Sequence, residues 1–190
     1  GTAELQAASF DGDDGDNYLQ GTADDDVVNG LAGNDQIFGQ AGNDTLDGGT
    51  GDDYLDGDVG DDVYLFGNGS GQDVVTDYDT TIGNIDTVRM AADVTPDAVA
   101  VMRDQSNLYL SLNGGTDQLT LSNWLFEDAS YKVERVEFAD GTVWTVAELQ
   151  DSVNTGNDDN NYLEGTVDDD VLNGMGGNDQ LAGMAGNDTL

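Results

Sequence analysis

The sequence predicts an all-β protein in which two coils of short strands flank a small β-rich domain with one short helix. Three observations predict it. Apolar residues recur every nine positions, an Asp or Asn stands two residues before each, and this period disappears between about Asp73 and Val153.

An N-terminal segment, residues 1–14, comes first, and the first array is placed at residues 15–72. Its apolar column is Leu19, Val28, Ile37, Leu46, Leu55 and Tyr64, preceded by Asn17, Asp26, Asp35, Asp44, Asp53 and Asp62. A glycine opens each unit, at Gly12, Gly21, Gly30, Gly39, Gly48 and Gly57. A second stands three residues later, at Gly15, Gly33, Gly42, Gly51 and Gly60, with Asp24 as the exception. Each unit therefore reads G-x-x-G-x-D-x-U-x, with U apolar. The glycines allow positive φ in the loop, and the last three residues form a brief strand whose U side chain faces a narrow core. Two units make one turn of the coil. Equivalent residues then lie eighteen apart, placing Leu19, Ile37 and Leu55 on one sheet and Val28, Leu46 and Tyr64 on the other.

The middle region, residues 73–153, contains the four basic residues Arg89, Arg103, Lys132 and Arg135. Leu108, Leu110 and Leu112 alternate up to Asn113-Gly114-Gly115, and Leu119 and Leu121 alternate beyond it, which predicts a hairpin. Val133, Val136 and Phe138 predict another strand. Thr145 and Glu148 have capping-box spacing, so a short helix is expected from Val146 toward Val153. Trp124, Phe126, Tyr131, Phe138 and Trp144 are the expected core. The second array, residues 154–190, repeats the frame with Leu163, Leu172, Leu181 and Leu190 after Asn161, Asp170, Asp179 and Asp188. The chain begins without Met and stops inside a repeat, as expected of a piece of something longer.

Charge selects the chemistry. The chain has 40 acidic and 4 basic residues, a net charge of −36, and only six of the acids are Glu. Such a field excludes nucleic acid and anionic membranes as partners and opposes compaction unless cations neutralise it. Short carboxylates in tight loops are ligands for hard cations. Cysteine and histidine are both absent, which removes thiolate and imidazole metal sites and every Ser/His or Cys/His catalytic pair. Gly69-Ser70-Gly71 lacks the frame of a nucleophile elbow, so no catalytic residues are assigned. Nothing resembles a signal peptide or a membrane span.

Stacking brings carboxylates such as Asp26 and Asp44 together. A divalent cation between them removes their repulsion, and loop carbonyls complete the six or so oxygens Ca²⁺ takes, whereas Mg²⁺ demands a stricter octahedron. The metal is needed energetically. Burying one Leu-sized side chain gains roughly 1.5–3 kcal/mol, while ordering nine residues costs on the order of 10 kcal/mol.

The units Gly48-Gly49-Thr50-Gly51-Asp52-Asp53-Tyr54-Leu55-Asp56 and Gly39-Gln40-Ala41-Gly42-Asn43-Asp44-Thr45-Leu46-Asp47 resemble the RTX (repeats-in-toxin) nonapeptide. The stretch from Val63-Tyr64-Leu65-Phe66 through Val133-Glu134-Arg135-Val136-Glu137-Phe138-Ala139-Asp140-Gly141 is similar to the haemolysin-type calcium-binding-related domain. The resemblance implies a right-handed parallel β-roll that binds several Ca²⁺ through sixth-position carboxylates and backbone carbonyls. Carried onto this chain, one site takes the Thr22 and Asp24 carbonyls and the Asp26 carboxylate, facing Gly39, Ala41 and Asp44. The next takes Leu31, Gly33 and Asp35 with Gly48, Thr50 and Asp53. A third takes Gln40, Gly42 and Asp44 with Gly57, Val59 and Asp62. In the second array, Thr166, Asp168 and Asp170 face Gly183, Ala185 and Asp188. Gly51 and Asp179 are counted as ligands too.

After Tyr64 the expected acid is displaced by two residues to Asp73, which is expected to close the array by pairing with Asp53. Asn17 and Asn161 should weaken the outer sites, and Asp24 and Asp168 stand where glycine would take positive φ more readily. The function expected is a non-catalytic calcium-binding module of a large secreted bacterial protein, an adhesin or other type I-exported polypeptide. It would remain unfolded in the low-calcium cytosol and fold outside. Other readings are an accessory region of an exported protease or lipase, or a recognition module whose middle domain binds a surface ligand. Neighbouring domains of the parent protein are further expected partners.

Overall fold

The computed structural model describes residues 8–104, 106–112, 114–126, 129–156, 162–165 and 169–190. The first coil is built from β1 (Ala8–Asp11), β2 (Tyr18–Gln20), β3 (Asp26–Asn29), β4 (Gln36–Ala41), β5 (Thr45–Asp47), β6 (Tyr54–Val59) and β7 (Val63–Phe66). Each strand crosses the coil and the next returns on the opposite face, giving the two-sheet arrangement of a parallel β-roll. One sheet stacks β1, β3, β5 and β7, and the other stacks β2, β4 and β6. The register is the expected one. Leu19 pairs with Ile37 and Ile37 with Leu55, while Val28 pairs with Leu46 and Leu46 with Tyr64. Val28, Ile37, Leu46, Leu55 and Tyr64 are fully buried.

The coil begins earlier and ends later than the period suggests. Strand β1 pairs in parallel with β3, and Phe10 stands opposite Val28, packed against the core. At the other end the sheets continue through β8 (Gln72–Val75) and β9 (Thr87–Met90), where Val75 follows Leu55 and Val88 follows Tyr64. The expected boundary at residues 72 and 73 falls inside β8. Here the step between stacked strands lengthens because the turns carry inserted residues, while ladder hydrogen bonding is retained.

The middle region extends both sheets. Strands β10 (Val99–Arg103), β11 (Leu108–Leu112) and β12 (Gln118–Leu121) form an antiparallel meander, and β12 docks in parallel on β8. Strand β13 (Arg135–Glu137) adds in parallel to β9 and antiparallel to β14 (Val143–Thr145). Helix α1 (Val146–Asn154) follows, with the Thr145 amide donating to the Glu148 carboxylate at 2.8 Å. Trp124 is fully buried and donates its indole N–H to the Val133 carbonyl at 2.8 Å. Phe138 is buried and packs edge-on against Trp144. Phe126, expected in the core, is 43% exposed. Asn123 has a φ of 59° and its carbonyl accepts the Phe126 amide, so this turn breaks the alternation and directs Phe126 toward Tyr131 at the surface.

In the second array, β15 (Tyr162–Glu164) pairs in parallel with β16 (Gln180–Ala182), aligning Leu163 with Leu181. Bridges Thr155–Asn173 and Val171–Thr189 mark the opposite face. Leu172 is buried there, whereas Leu190 is 64% exposed.

Candidate metal centres

The loop before each strand places its sixth-position Asp under the preceding turn. In the first column the Asp26 amide donates to Asp44 Oδ1 at 2.8 Å, the Asp44 amide to Asp62 Oδ1 at 2.7 Å, and the Asp62 amide to Asp86 Oδ1 at 2.8 Å. In the second column the Asn17, Asp35 and Asp53 amides donate to Oδ1 of Asp35, Asp53 and Asp73 at 2.7, 2.8 and 3.0 Å. One oxygen of each linked carboxylate is thus committed to the neighbouring turn. The other oxygen is what matters for metal binding. Oδ2 of Asp35, Asp44, Asp53 and Asp62, and Oδ1 of Asp26, are buried without a hydrogen-bond partner. Unpaired buried carboxylate oxygens are expensive, and none of the described basic side chains donates to them.

Backbone oxygens converge on the same space. A Cβ on Gly21 would lie 2.5 Å from the Gly39 carbonyl oxygen and 2.8 Å from Asp26 Oδ2. On Gly30 it would meet the Gly48 carbonyl and Asp35 Oδ2, and on Gly39 the Gly57 carbonyl and Asp44 Oδ2. The opening glycine is therefore a cradle wall that a side chain would fill. The carbonyls of Leu31, Thr50 and Val59 accept inter-turn amides at 3.0 Å and that of Thr22 at 3.4 Å, each keeping a second lone pair. This oxygen-only donor set suits Ca²⁺.

The second glycine serves another purpose. Gly33, Gly42, Gly51 and Gly60 have φ of 106°, 116°, 141° and 146°, and a Cβ on Gly51 or Gly60 would overlap the carbonyl oxygen of Gly33 or Gly42. Asp24 is not in the left-handed region, so the turn it occupies does not require a glycine there. Leu31, Gln40 and Asp58, the second residues of their units, do take positive φ, at 78°, 87° and 68°.

Burial raises the carboxyls. Asp44 and Asp53 are pushed up to about 6, by burial first and then by the neighbouring charges of Asp26 and Asp35. Asp62 and Asp73 are pushed up to about 8, with Asp86 and Asp53 respectively the leading like charges after burial. Asp73 is 2% exposed and lies under Asp53.

In the second array the Asp170 amide donates to Asp188 Oδ1 at 3.0 Å, and a Cβ on Gly165 would lie 2.6 Å from both Asp170 Oδ2 and the Gly183 carbonyl. Ala185 is exposed, and Asp179 lies beside Gly174. Thr166, Asp168 and Asn161 lie outside the described residues.

Two features escaped the sequence reading. Between the second glycine and the frame Asp stands Asp16, Asp25, Asn34, Asn43, Asp52 or Asp61, and these side chains form an outer ladder running the opposite way. The Asn34, Asn43, Asp52, Asp61 and Gln72 amides donate to Oδ1 of Asp16, Asp25, Asn34, Asn43 and Asp52 at 2.9–3.1 Å. The invariable Asp or Asn at that position was the available signal. The other feature is the burial of Asp77, Asp79 and Asp86 between β8 and β9, off the nine-residue frame.

Comparison with known proteins agrees with this geometry. Residues 11–46, 38–73 and 155–190, just over half of the chain, match the RTX calcium-binding nonapeptide repeat (4 copies). Residues 107–148 match the haemolysin-type calcium binding protein related domain. The Iron-regulated protein FrpA of Neisseria meningitidis serogroup C is 35% identical over 102 residues. That alignment spans 53% of this chain and 9% of FrpA.

Proposed function

This chain belongs to the RTX calcium-binding nonapeptide repeat family and binds Ca²⁺, and on that premise we propose that it is a non-catalytic module of a large secreted polypeptide that folds when it meets extracellular calcium. The supporting observation is the row of buried, partnerless frame-aspartate oxygens in a chain of net charge −36. Without cations the columns would carry unscreened like charges in a narrow core, so the calcium-free chain is largely disordered. Extracellular calcium modules have dissociation constants of about 10⁻⁴ to 10⁻³ M, well matched to a switch between cytosol and exterior. An unfolded chain is also suited to passage through a type I export channel. The parent is an adhesin or another type I-exported polypeptide, in which these repeats serve as a calcium-dependent structural element. Among the described residues no helix is long and apolar enough to cross a membrane.

Each interior ion is assigned two frame carboxylates one turn apart, Asp26 with Asp44, Asp35 with Asp53, Asp44 with Asp62 and Asp53 with Asp73. Carbonyls of both loops complete the coordination. Circular dichroism of the chain in chelator and during calcium addition tests the reading. Disorder giving way cooperatively to β structure near millimolar calcium supports it, and a fully folded chelator-treated chain at neutral pH contradicts it.

A further inference from the structure

The β8–β9 connection, residues 76–86, carries three acids that lie off the nine-residue frame. Ligand oxygens of Asp62, Asp77 and Asp86 lie within 4.8 Å of one another, and all three residues are buried. Asp77 is only 2% exposed, yet neither of its carboxylate oxygens has a hydrogen-bond partner, and Asp62 Oδ2 is in the same condition. Neighbouring Asp79 is occupied differently, accepting the Gly60 and Thr81 amides at 3.1 and 2.6 Å.

Among the described residues, no basic side chain donates to the cluster. Arg89 and Arg135 pair with Glu137, Lys132 donates to the Trp124 and Phe126 carbonyls, and Arg103 lies in β10 on the opposite sheet. Glu134 adds a further acid, accepting the Asp86 amide at 2.7 Å. A proton on Asp77 is the alternative relief, since burial and Asp86 push its carboxyl up to about 10. One proton, however, would leave Asp62 Oδ2 without a partner. A divalent cation satisfies all three carboxylates at once, and Asp62 is the last frame aspartate of the column in which the interior ions are placed, linked onward to Asp86.

We propose that Asp62, Asp77 and Asp86 form a further calcium site, which closes the end of the first stack and fastens the 76–86 connection onto it. The site is carboxylate-rich where the interior sites rely on carbonyls, and oxygen ligands of this charge select a hard cation. It rests on the reading that calcium bridges the aspartate columns. It also explains how the roll can lengthen its step between β7 and β9 without leaving Asp62 exposed to like charge alone.

Crystals of the 190-residue chain grown with calcium provide the direct test, by anomalous diffraction. A peak among Asp62, Asp77 and Asp86, in addition to peaks between Asp26, Asp44 and Asp62, is expected. Interior peaks with none at Asp77, or with Asp77 hydrogen-bonded to Asp86, overturn this proposal and leave the stack reading standing. No peak anywhere along the columns overturns both. In solution, equilibrium dialysis should find one calcium fewer per chain in Asp77→Asn and an unchanged count in Asp79→Asn. An unchanged count in folded Asp77→Asn overturns the proposal. Should that variant fail to fold, the anomalous map of the unsubstituted chain decides.

Discussion

Adjacent residues of one loop perform separate tasks, and substitution should separate them. Asn43 belongs to the outer ladder, where it accepts the Asp61 amide at 3.1 Å, while Asp44 turns inward to the metal column. Asn43→Ala should therefore cost about 1 kcal/mol, the net worth of a hydrogen bond, without changing the number of ions bound. Urea unfolding in saturating calcium, paired with equilibrium dialysis, checks both halves of that statement. Gly51 is less forgiving. At a φ of 141° a side chain is strained by about 1–3 kcal/mol, and its Cβ would also overlap the Gly33 carbonyl oxygen. Gly51→Ala should lose more than about 3 kcal/mol, read as a fall in the urea midpoint, and a loss under about 1 kcal/mol would show that the stacked glycines tolerate separation. The frame aspartates and glycines were legible in the sequence because each recurs at one fixed position with one chemistry. The outer ladder was not, because Asp and Asn exchange there freely and a neutral amide carries no hint of metal chemistry.

The stacking of the elements follows the apolar column wherever the step is eighteen residues. Leu19 over Ile37 and Val28 over Leu46 needed nothing beyond the period, and the β11–β12 hairpin and helix α1 were equally visible from alternation and the capping box. What the period concealed is the continuity of the sheets. Val75 and Val88 occupy the column, but inserted residues remove them from the frame, and β12 and β13 join the sheets through backbone pairing that side-chain pattern does not announce. Phe10 was missed because no frame acid precedes it, since Ala8 stands opposite Asp26. The same view of stacking separates the two arrays in stability. The first lies between β1 and the middle region, whereas among the described residues of the second β15 and β16 form a two-stranded sheet. A two-stranded pair is marginal without further strands. Amide exchange in calcium should accordingly be faster across residues 174–190 than across residues 30–60. Equal protection in a monomer would contradict this.

Across the whole molecule, the proposed calcium sites set protons and calcium in competition for the same buried oxygens. Were the chain folded without calcium, burial would push the Asp44 and Asp53 carboxyls up to about 6 and those of Asp62 and Asp73 up to about 8, all above the ordinary 3.8. A raised carboxyl favours folding only while protonated, so this contribution is full below about pH 4 and disappears as pH rises through 6 and 8. In chelator, β structure should increase as pH falls from 8 toward 4, and in calcium the folding midpoint should shift to higher calcium over the same descent. Circular dichroism at several pH values checks both directions. If calcium bridges frame aspartates one turn apart, position in the column decides how many ions each aspartate serves. On the proposed bridging, Asp44, between Asp26 and Asp62, would serve two ions, whereas Asp26, with Ala8 opposite it, would serve one. Substitution by Asn keeps an oxygen for the inter-turn amide and removes the charge that holds the metal. The decisive measurement is a calcium titration of both variants at pH 7.5, followed by circular dichroism. Asp44→Asn should require markedly more calcium to fold than Asp26→Asn, which in turn should require more than the unsubstituted chain. If both variants fold at the unsubstituted midpoint, calcium does not bridge these columns.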